Sequence, residues 1–415
     1  MRRNRPAPVS ALVIVLMLVT TLALPAGASH GTDDLYVPPA NLGARDQIKE
    51  LRRAGQLVES NLIKAMTKTP SAVWFNGGTP NEVRSAVAEV VRDAKSEHAT
   101  PVLVAYNLPF RDCAQFSAGG ALGLAEYKAW IDGFAAGIGK NRAIVILEPD
   151  GLGIIPFNID INGVAEWCQP RDEAGNPQPG ATPADRYAAI NYAVDALAPL
   201  ENVSVYLDGT HSAWLGVGDI ADRLVRGGVM RADGFYVNAS NYRLTEHLEK
   251  YGEWISKCIA FANNPEEGGW RLGNYAWCAS QYFPANPNDF STWHLSDEWY
   301  DANLGTAQPS THFVIDTSRN GQGPWTPPAD HPAGDPQDWC NPPDRGLGIR
   351  PTLDTGNSLI DAFLWIKIPG ESDGGCTRWG PGPEDPVRGM IDPAAGVWFP
   401  EMALELVTNA VPALD

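Results

Sequence analysis

Seven short apolar runs, separated by stretches with helical spacing, constrain this chain more than any other feature. They lie at 71–75, 101–108 (PVLVAYNL), 143–147 (AIVIL), 203–207 (VSVYL), 234–238, 312–317 and 360–368. Nearly all are continuously apolar, the pattern of strands buried on both faces of a parallel sheet. Apolar residues at helical spacing predict helices over 44–66, 81–98, 123–140, 183–199, 217–230, 244–260 and 398–411. Residues 261–310 and 319–357 are rich in Asn, Pro, Gly and Trp and read as long loop regions. Alternation sustained this long, without a repeat or a low-complexity linker, points to one α/β domain closed toward a barrel.

The first residues stand outside that pattern. Arg2, Arg3 and Arg5 precede an apolar run from Ala11 to Leu24, followed by Pro25-Ala26-Gly27-Ala28. This is the anatomy of a secretory signal peptide over 1–28, cleaved after Ala28. A membrane anchor is the competing reading, but a span needs roughly 20 apolar residues. Residues 29–43 read as a polar lead-in and 44–415 as the catalytic domain. Export makes the six cysteines interpretable as disulfides. No CxxC and no zinc spacing occurs, and locality favours the pairing 113–168, 258–278 and 340–376. The formal charge of −18 argues against nucleic acid and anionic membranes as partners. Fourteen tryptophans in a soluble acidic chain suggest flat apolar faces for something amphipathic, such as sugar rings.

The chemistry sits where the strands end. Tyr106-Asn107 with Arg111-Asp112, Glu148-Pro-Asp150, Asp208, Asn238 with Ser240-Asn241, Asp316 and Lys367 each close an apolar run. The carboxyl ends of parallel barrel strands build the active site. A carboxylate closing a buried strand costs desolvation energy unless something pairs or uses it. Any one could cap the next helix; several on one rim, with aromatics and no metal or cofactor motif, point to glycoside hydrolysis.

These blocks resemble glycoside hydrolase family 6, the secreted cellulases. The resemblance is carried by Tyr106-Asn-Leu-Pro-Phe-Arg-Asp-Cys113, Leu147-Glu-Pro-Asp150, Tyr206-Leu-Asp208 with His211-Ser-Ala-Trp214, Asn238-Ala-Ser-Asn-Tyr242, Asp316-Thr-Ser-Arg-Asn320, Trp339-Cys340 and Trp365-Ile-Lys-Ile-Pro-Gly-Glu-Ser-Asp-Gly374, in the family's order across about 70–415. It implies a distorted seven-stranded parallel β/α barrel in a single domain, cleavage of β-1,4-glucan, and inversion at the anomeric carbon. Asp150 then matches the proton donor, Asp112 the carboxylate that raises its pKa, and Asp373 the proposed base. Tyr106 matches a tyrosine pressing on the distorted ring. Asp208 either tunes the same charges or holds backbone. Trp74, Trp214 and Trp339 match tryptophans that stack on glucosyl units, whereas Trp365 lies in a strand and reads as core. His211, Asn241, Lys367 and Glu371 match contacts to sugar hydroxyls, although Lys367 and Glu371 could instead pair with each other.

Three departures stand out. Thr210 occupies a position where the family usually has glycine, Ala118 stands where many members carry a serine linked to the water relay, and Cys258 and Cys278 look additional to the family's two disulfides. The Ser117-Ala-Gly-Gly120 block, the short segment from Asp316 to Trp339 and Cys376 directly after the GESDG block look endoglucanase-like; the longer 377–397 stretch is closer to tunnel-forming members. The expectation is a monomeric, secreted endo-β-1,4-glucanase acting on cellulose or cello-oligosaccharides without metal or cofactor. A processive cellobiohydrolase and a non-catalytic carbohydrate-binding protein are the alternatives.

Overall fold

The structure, a computed structural model, describes residues 34–414 apart from 268, 330, 332, 333 and 379. The signal peptide read over 1–28, and residues 29–33 of the lead-in, lie outside the described residues. Seven strands form one sheet in sequence order: β1 (Val73–Phe75), β2 (Val102–Ala105), β3 (Ala143–Leu147), β4 (Val203–Asp208), β5 (Gly234–Val237), β6 (His312–Asp316) and β7 (Ile360–Leu364). Every neighbouring pair is parallel. Between β7 and β1 no ladder forms among the described residues. The seam is bridged by Ala72 N donating to Trp365 O at 2.9 Å and by the Trp74 indole donating to Ile366 O at 2.8 Å. This is the distorted seven-stranded barrel that the resemblance implies.

Strand side chains sort by parity, as a pleated backbone requires. Val104, Ile146, Tyr206, Tyr236, Val314 and Leu364 fill the barrel interior. Leu103, Val145, Val205, Phe235 and Ile315 face the outer core shared with the helices. Two residues on from interior positions come Tyr106, Glu148, Asp208, Asn238, Asp316 and Ile366. The same parity that fills the barrel therefore aims polar groups inward at its carboxyl rim.

The helices are α1 (Leu42–Arg53), α2 (Leu57–Met66), α3 (Pro80–Ser96), α4 (Leu124–Ile138), α5 (Pro183–Leu197), α6 (Val217–Gly227), α7 (Thr245–Asn263), α8 (His294–Asn303) and α9 (Pro400–Thr408). Three expectations are corrected. The single helix read over 44–66 is two, broken at Gly55 with φ 78°. The 261–310 region is not all loop: α8 packs there, with Tyr300 buried and its hydroxyl on Ala279 O at 2.9 Å. β7 stops at Leu364 rather than 368, because the N–H groups of Ile366 and Lys367 turn inward to the Asp316 carboxylate at 3.2 and 3.0 Å. The described part of the lead-in is integral to the domain: Leu35 and Tyr36 are buried and bridge to Thr100, and Asn41 caps α1. The three disulfides join Cys113–Cys168, Cys258–Cys278 and Cys340–Cys376.

Candidate active site

The inward carboxylates of the rim act as clamps on neighbouring loops. Glu148 accepts from Asn107 N at 2.8 Å and Leu108 N at 3.1 Å in the loop after β2. Asp208 accepts from Leu152 N at 3.1 Å and Gly153 N at 2.9 Å after β3, and from Thr210 N at 2.9 Å. Asp316 accepts from Ser240 N at 3.0 Å after β5, besides Ile366 and Lys367 after β7. Backbone dipoles take up part of each charge, but desolvation still leaves all three pKa values raised. Among the described residues, eight of the fourteen non-glycine residues with positive φ lie on this rim: Phe110, Asp112, Cys113, Glu148, Asp150, Thr210, Asn238 and Ser240. Backbone conformations this unfavourable persist only where surrounding contacts hold them, and they cluster at functional sites. Thr210, at φ 57°, is held by its amide on Asp208 and its hydroxyl 3.0 Å from that of Tyr251.

Asp150 follows β3 on a loop fixed from three directions. Besides Asp208, Arg186 from α5 donates to Gly151 O and Ile154 O at 2.9 and 3.0 Å, and Arg223 from α6 to Leu152 O and Gly153 O at 2.9 and 3.0 Å. Among the described residues no hydrogen bond reaches the Asp150 carboxyl. Removal from water, then the charges of Asp208 and Asp112, hold its pKa well above the ordinary aspartate value. Asp112 stands on the loop after β2, anchored by Cys113–Cys168. Burial raises its pKa, against the opposing bond from Ser117 N to its Oδ2 at 2.7 Å. Tyr106 is buried beside both, its phenol pushed far up by burial and by Asp150 and Asp112. Trp74 meets the Tyr106 ring edge-on at 5.3 Å, and Arg111 covers it at 4.6 Å while donating to Tyr106 O, Asn76 O and Ser117 O.

Asp373 sits in different surroundings. Arg319 Nη1 meets both its oxygens at 2.9 and 3.0 Å, Lys367 lies 3.5 Å away, and Tyr242 OH and Asn341 N donate at 3.2 and 3.1 Å. Burial works against ionisation, but the cations win and its pKa lies below the ordinary value. Arg319 also donates to Ser240 O and stacks on Tyr242 at 4.3 Å. The next residue, Gly374, carries the Asp112 loop: a Cβ there would lie 2.6 Å from Phe116 Cβ, so only glycine admits the contact. Phe116 in turn lies 6.2 Å, ring to ring, from Trp339. Asp112, Asp150, Tyr106 and Trp74 thus share one stretch of rim, and Asp373 and Trp339 border it through Phe116.

The sugar-contact candidates flank this stretch. Trp214 rests on the Asp150 loop, since a Cβ on Gly153 would lie 2.5 Å from its ring. His211 is 5.8 Å from Trp214, ring to ring, and its Nδ1 accepts from Ala213 N at 3.2 Å. Burial and the Arg243 charge push its pKa well down, so the ring is neutral with its proton on Nε2, a hydrogen-bond donor. Asn241 follows β5, half-buried, with its Oδ1 on Tyr242 N. Lys367 pairs with Asp373 rather than Glu371. Glu371 accepts from Asn41 Nδ2 at 2.8 Å and lines a cavity of about 310 Å³ beside the seam with Trp398 and Tyr36. Trp365 is core, as expected. Among the described residues, one group, Cys376, Asp385 and Asp392, lies close enough to surround a cation. The sulfur is in a disulfide and Asp385 is paired with Arg378 at 2.9 Å, so the set offers no open ligand site.

Sequence reasoning missed Arg186, Arg223, Arg319 and Asn341. Arg319 lies inside a quoted block but received no role. The two helix arginines left a readable signal, a charge on the apolar face of each helix; Asn341 left none.

The model of Glycosyl hydrolases family 6 matches residues 30–410. Endoglucanase A of Cellulomonas fimi is 32% identical over 91% of this chain and 62% of its own length. Endoglucanase A of Thermobispora bispora is 31% identical over 95% of this chain and 66% of its own. The chain therefore spans just under two thirds of these relatives. Among solved structures, the endoglucanase Cel6 from Mycobacterium tuberculosis, in complex with methyl-cellobiosyl-4-deoxy-4-thio-β-D-cellobioside, superposes with TM-score 0.63 at 31% identity, over 91% of this chain and 97% of that one. With the family's match running through every strand and rim loop described above, this chain belongs to glycosyl hydrolases family 6.

Proposed function

We propose that the chain is a secreted, inverting β-1,4-glucanase that cleaves inside cellulose or a related β-glucan. The observation that carries this reading is the environment of Asp150: a carboxyl that no hydrogen bond reaches among the described residues, with its pKa held well above the ordinary value by desolvation and by Asp208 and Asp112. Such a group is a general acid at near-neutral pH. Asp150 gives its proton to the glycosidic oxygen as the anomeric C–O bond breaks. Water adds from the opposite face and its proton passes to a base. Asp373 is poorly suited to that task, since its pairing with Arg319 and Lys367 holds its pKa below the ordinary value and makes it a weak proton acceptor. Asp112, whose Oδ1 is not taken up by Ser117, fits better, with one water between it and the anomeric carbon. Tyr106 bears on the ring at the cleavage point, and Trp74, Trp214 and Trp339 stack along the chain.

Endo action is supported by the two curated relatives, both named endoglucanases, and by the anchoring of 377–397. Arg378 ties that segment to Asp335, Gln337 O and Cys340 O, and Arg388 ties it to Asn341 O and Glu405. Among the described residues, no hydrogen bond carries it across to the loops after β2, β3 or β4. Secretion accords with the leader read over 1–28 and with three disulfides; no helix among the described residues is long and apolar enough to cross a membrane.

The test follows cello-oligosaccharide hydrolysis by NMR alongside the viscosity of soluble cellulose. Initial α-product and early viscosity loss are expected. Initial β-product overturns inversion, slow viscosity loss with mostly cellobiose released overturns endo action, and binding without hydrolysis overturns the enzyme reading.

A further inference from the structure

The segment between α7 and α8 presents aromatic rings that the mechanism does not use. It is fastened to α7 by Cys258–Cys278 and then seated on the Trp214 loop. The Tyr282 hydroxyl donates to Trp214 O at 3.0 Å, and the Gln281 amide donates to Leu215 O at 3.0 Å. Ser280 locks the turn: its hydroxyl accepts from Tyr282 N and Phe283 N at 3.1 and 3.3 Å, and its own N–H donates to Phe283 O at 2.7 Å. Rings that served only to brace Trp214 would be covered by it. Instead Tyr282 is 43% exposed and Phe283 77% exposed, on a turn held by Ser280. Beside them stands Arg243, whose guanidinium donates no hydrogen bond among the described residues and whose charge reaches both His211 and Tyr282. A rigid aromatic face next to an unspent donor suits a pyranose, which offers a C–H face and a rim of hydroxyls. The place also fits. Trp74 stands at the β1–β7 seam, and Trp214 follows β4, the middle strand of the sheet order. Tyr282, bonded to the Trp214 carbonyl, and Phe283 after it lie next to the loop that carries Trp214.

We propose that Tyr282 and Phe283, with Arg243 beside them, bind a glucosyl unit of the glucan beyond Trp214, so that the enzyme favours longer chains. This rests on the β-1,4-glucanase reading and adds a subsite to it. The test compares kcat/KM on cellotetraose and cellohexaose for wild type, Tyr282→Ala, Phe283→Ala and Tyr282→Phe, with folding checked by thermal unfolding. In the two alanine variants the preference for cellohexaose is expected to fall about fivefold, mainly through KM, the value of one lost ring contact. Tyr282→Phe, which keeps the ring and loses the hydroxyl brace, is expected to retain the preference. An equal loss on both substrates would reduce Tyr282 to a brace for Trp214, and an unchanged preference would remove the subsite; either result overturns the proposal. A wild type that cleaves neither oligosaccharide overturns the glucanase reading itself, and the subsite with it.

Discussion

Arg319 grips Asp373 through both carboxylate oxygens, at 2.9 and 3.0 Å, in a position where neither side chain reaches solvent to any extent. A carboxylate so held is a structural anion, and its removal strands a buried guanidinium. Asp373→Ala is expected to cost about 3–5 kcal/mol of stability, the usual penalty for breaking a buried pair. Denaturant unfolding measures this. Azide, which can replace a missing base, is expected not to restore hydrolysis in this variant; restored turnover would make Asp373 the proton acceptor after all.

Asp112 acts on Asp150 through its charge. Removing a nearby negative charge makes ionisation of Asp150 easier, so its pKa falls. Asp112→Asn, which also removes the proposed base and so lowers kcat/KM at every pH, is therefore expected to move the alkaline limb of the residual kcat/KM–pH profile to lower pH. An unmoved limb would mean that Asp112 does not set the acid's protonation.

The Trp214 ring occupies the space where a Gly153 side chain would be, with a Cβ at 2.5 Å. Gly153→Ala must displace that ring, and the Gly153 N–H bond to Asp208 fixes the Asp150 loop, of which Gly153 is part, to the end of β4. The expected outcome is about tenfold lower kcat/KM on cello-oligosaccharides, in line with the cost of a misplaced reacting group. Steady-state kinetics check it; an unaltered KM would show that Trp214 does not seat the substrate.

Two buried rim carboxylates are expected to make the fold more stable in mild acid than at neutral pH. Desolvation raises Glu148 to about 7 and Asp208 to about 6. Their folded pKa values lie above the unfolded ones. The stability they allow is fully present below the unfolded values near 4 and is lost as pH rises through 6 and 7. For Glu148 alone the loss is of order 3 kcal/mol. Thermal unfolding is expected to give a higher Tm at pH 4.5 than at pH 7.5, and Glu148→Gln is expected to narrow the difference. A Tm that climbs steadily to pH 7.5 contradicts this account.

Much of this was legible in the sequence because strand parity and strand ends are local. The run AIVIL followed by Glu148-Pro-Asp150 states both a buried strand and a rim carboxyl, and the three disulfides follow the order of the cysteines. The end of β7 was not legible, because it is decided by Asp316, some fifty residues away in the chain. Helix α8 was hidden by the Asn, Pro and Trp content around it, and its place depends on Ser296 and Tyr300 reaching carbonyls of residues 279–280. The motifs named Asp112, Asp150 and Asp373 together. Only the three-dimensional surroundings separate the two that lack a cation partner from the one that Arg319 neutralises.

Removal from water first, and the neighbouring charges of Asp208 and Asp112 second, hold the Asp150 pKa up. Titration of the Asp150 side-chain carboxyl by ¹³C NMR tests this directly. The account predicts an apparent pKa well above the free value of about 3.9, falling in Asp112→Asn; titration at the free value, unchanged in that variant, would contradict it.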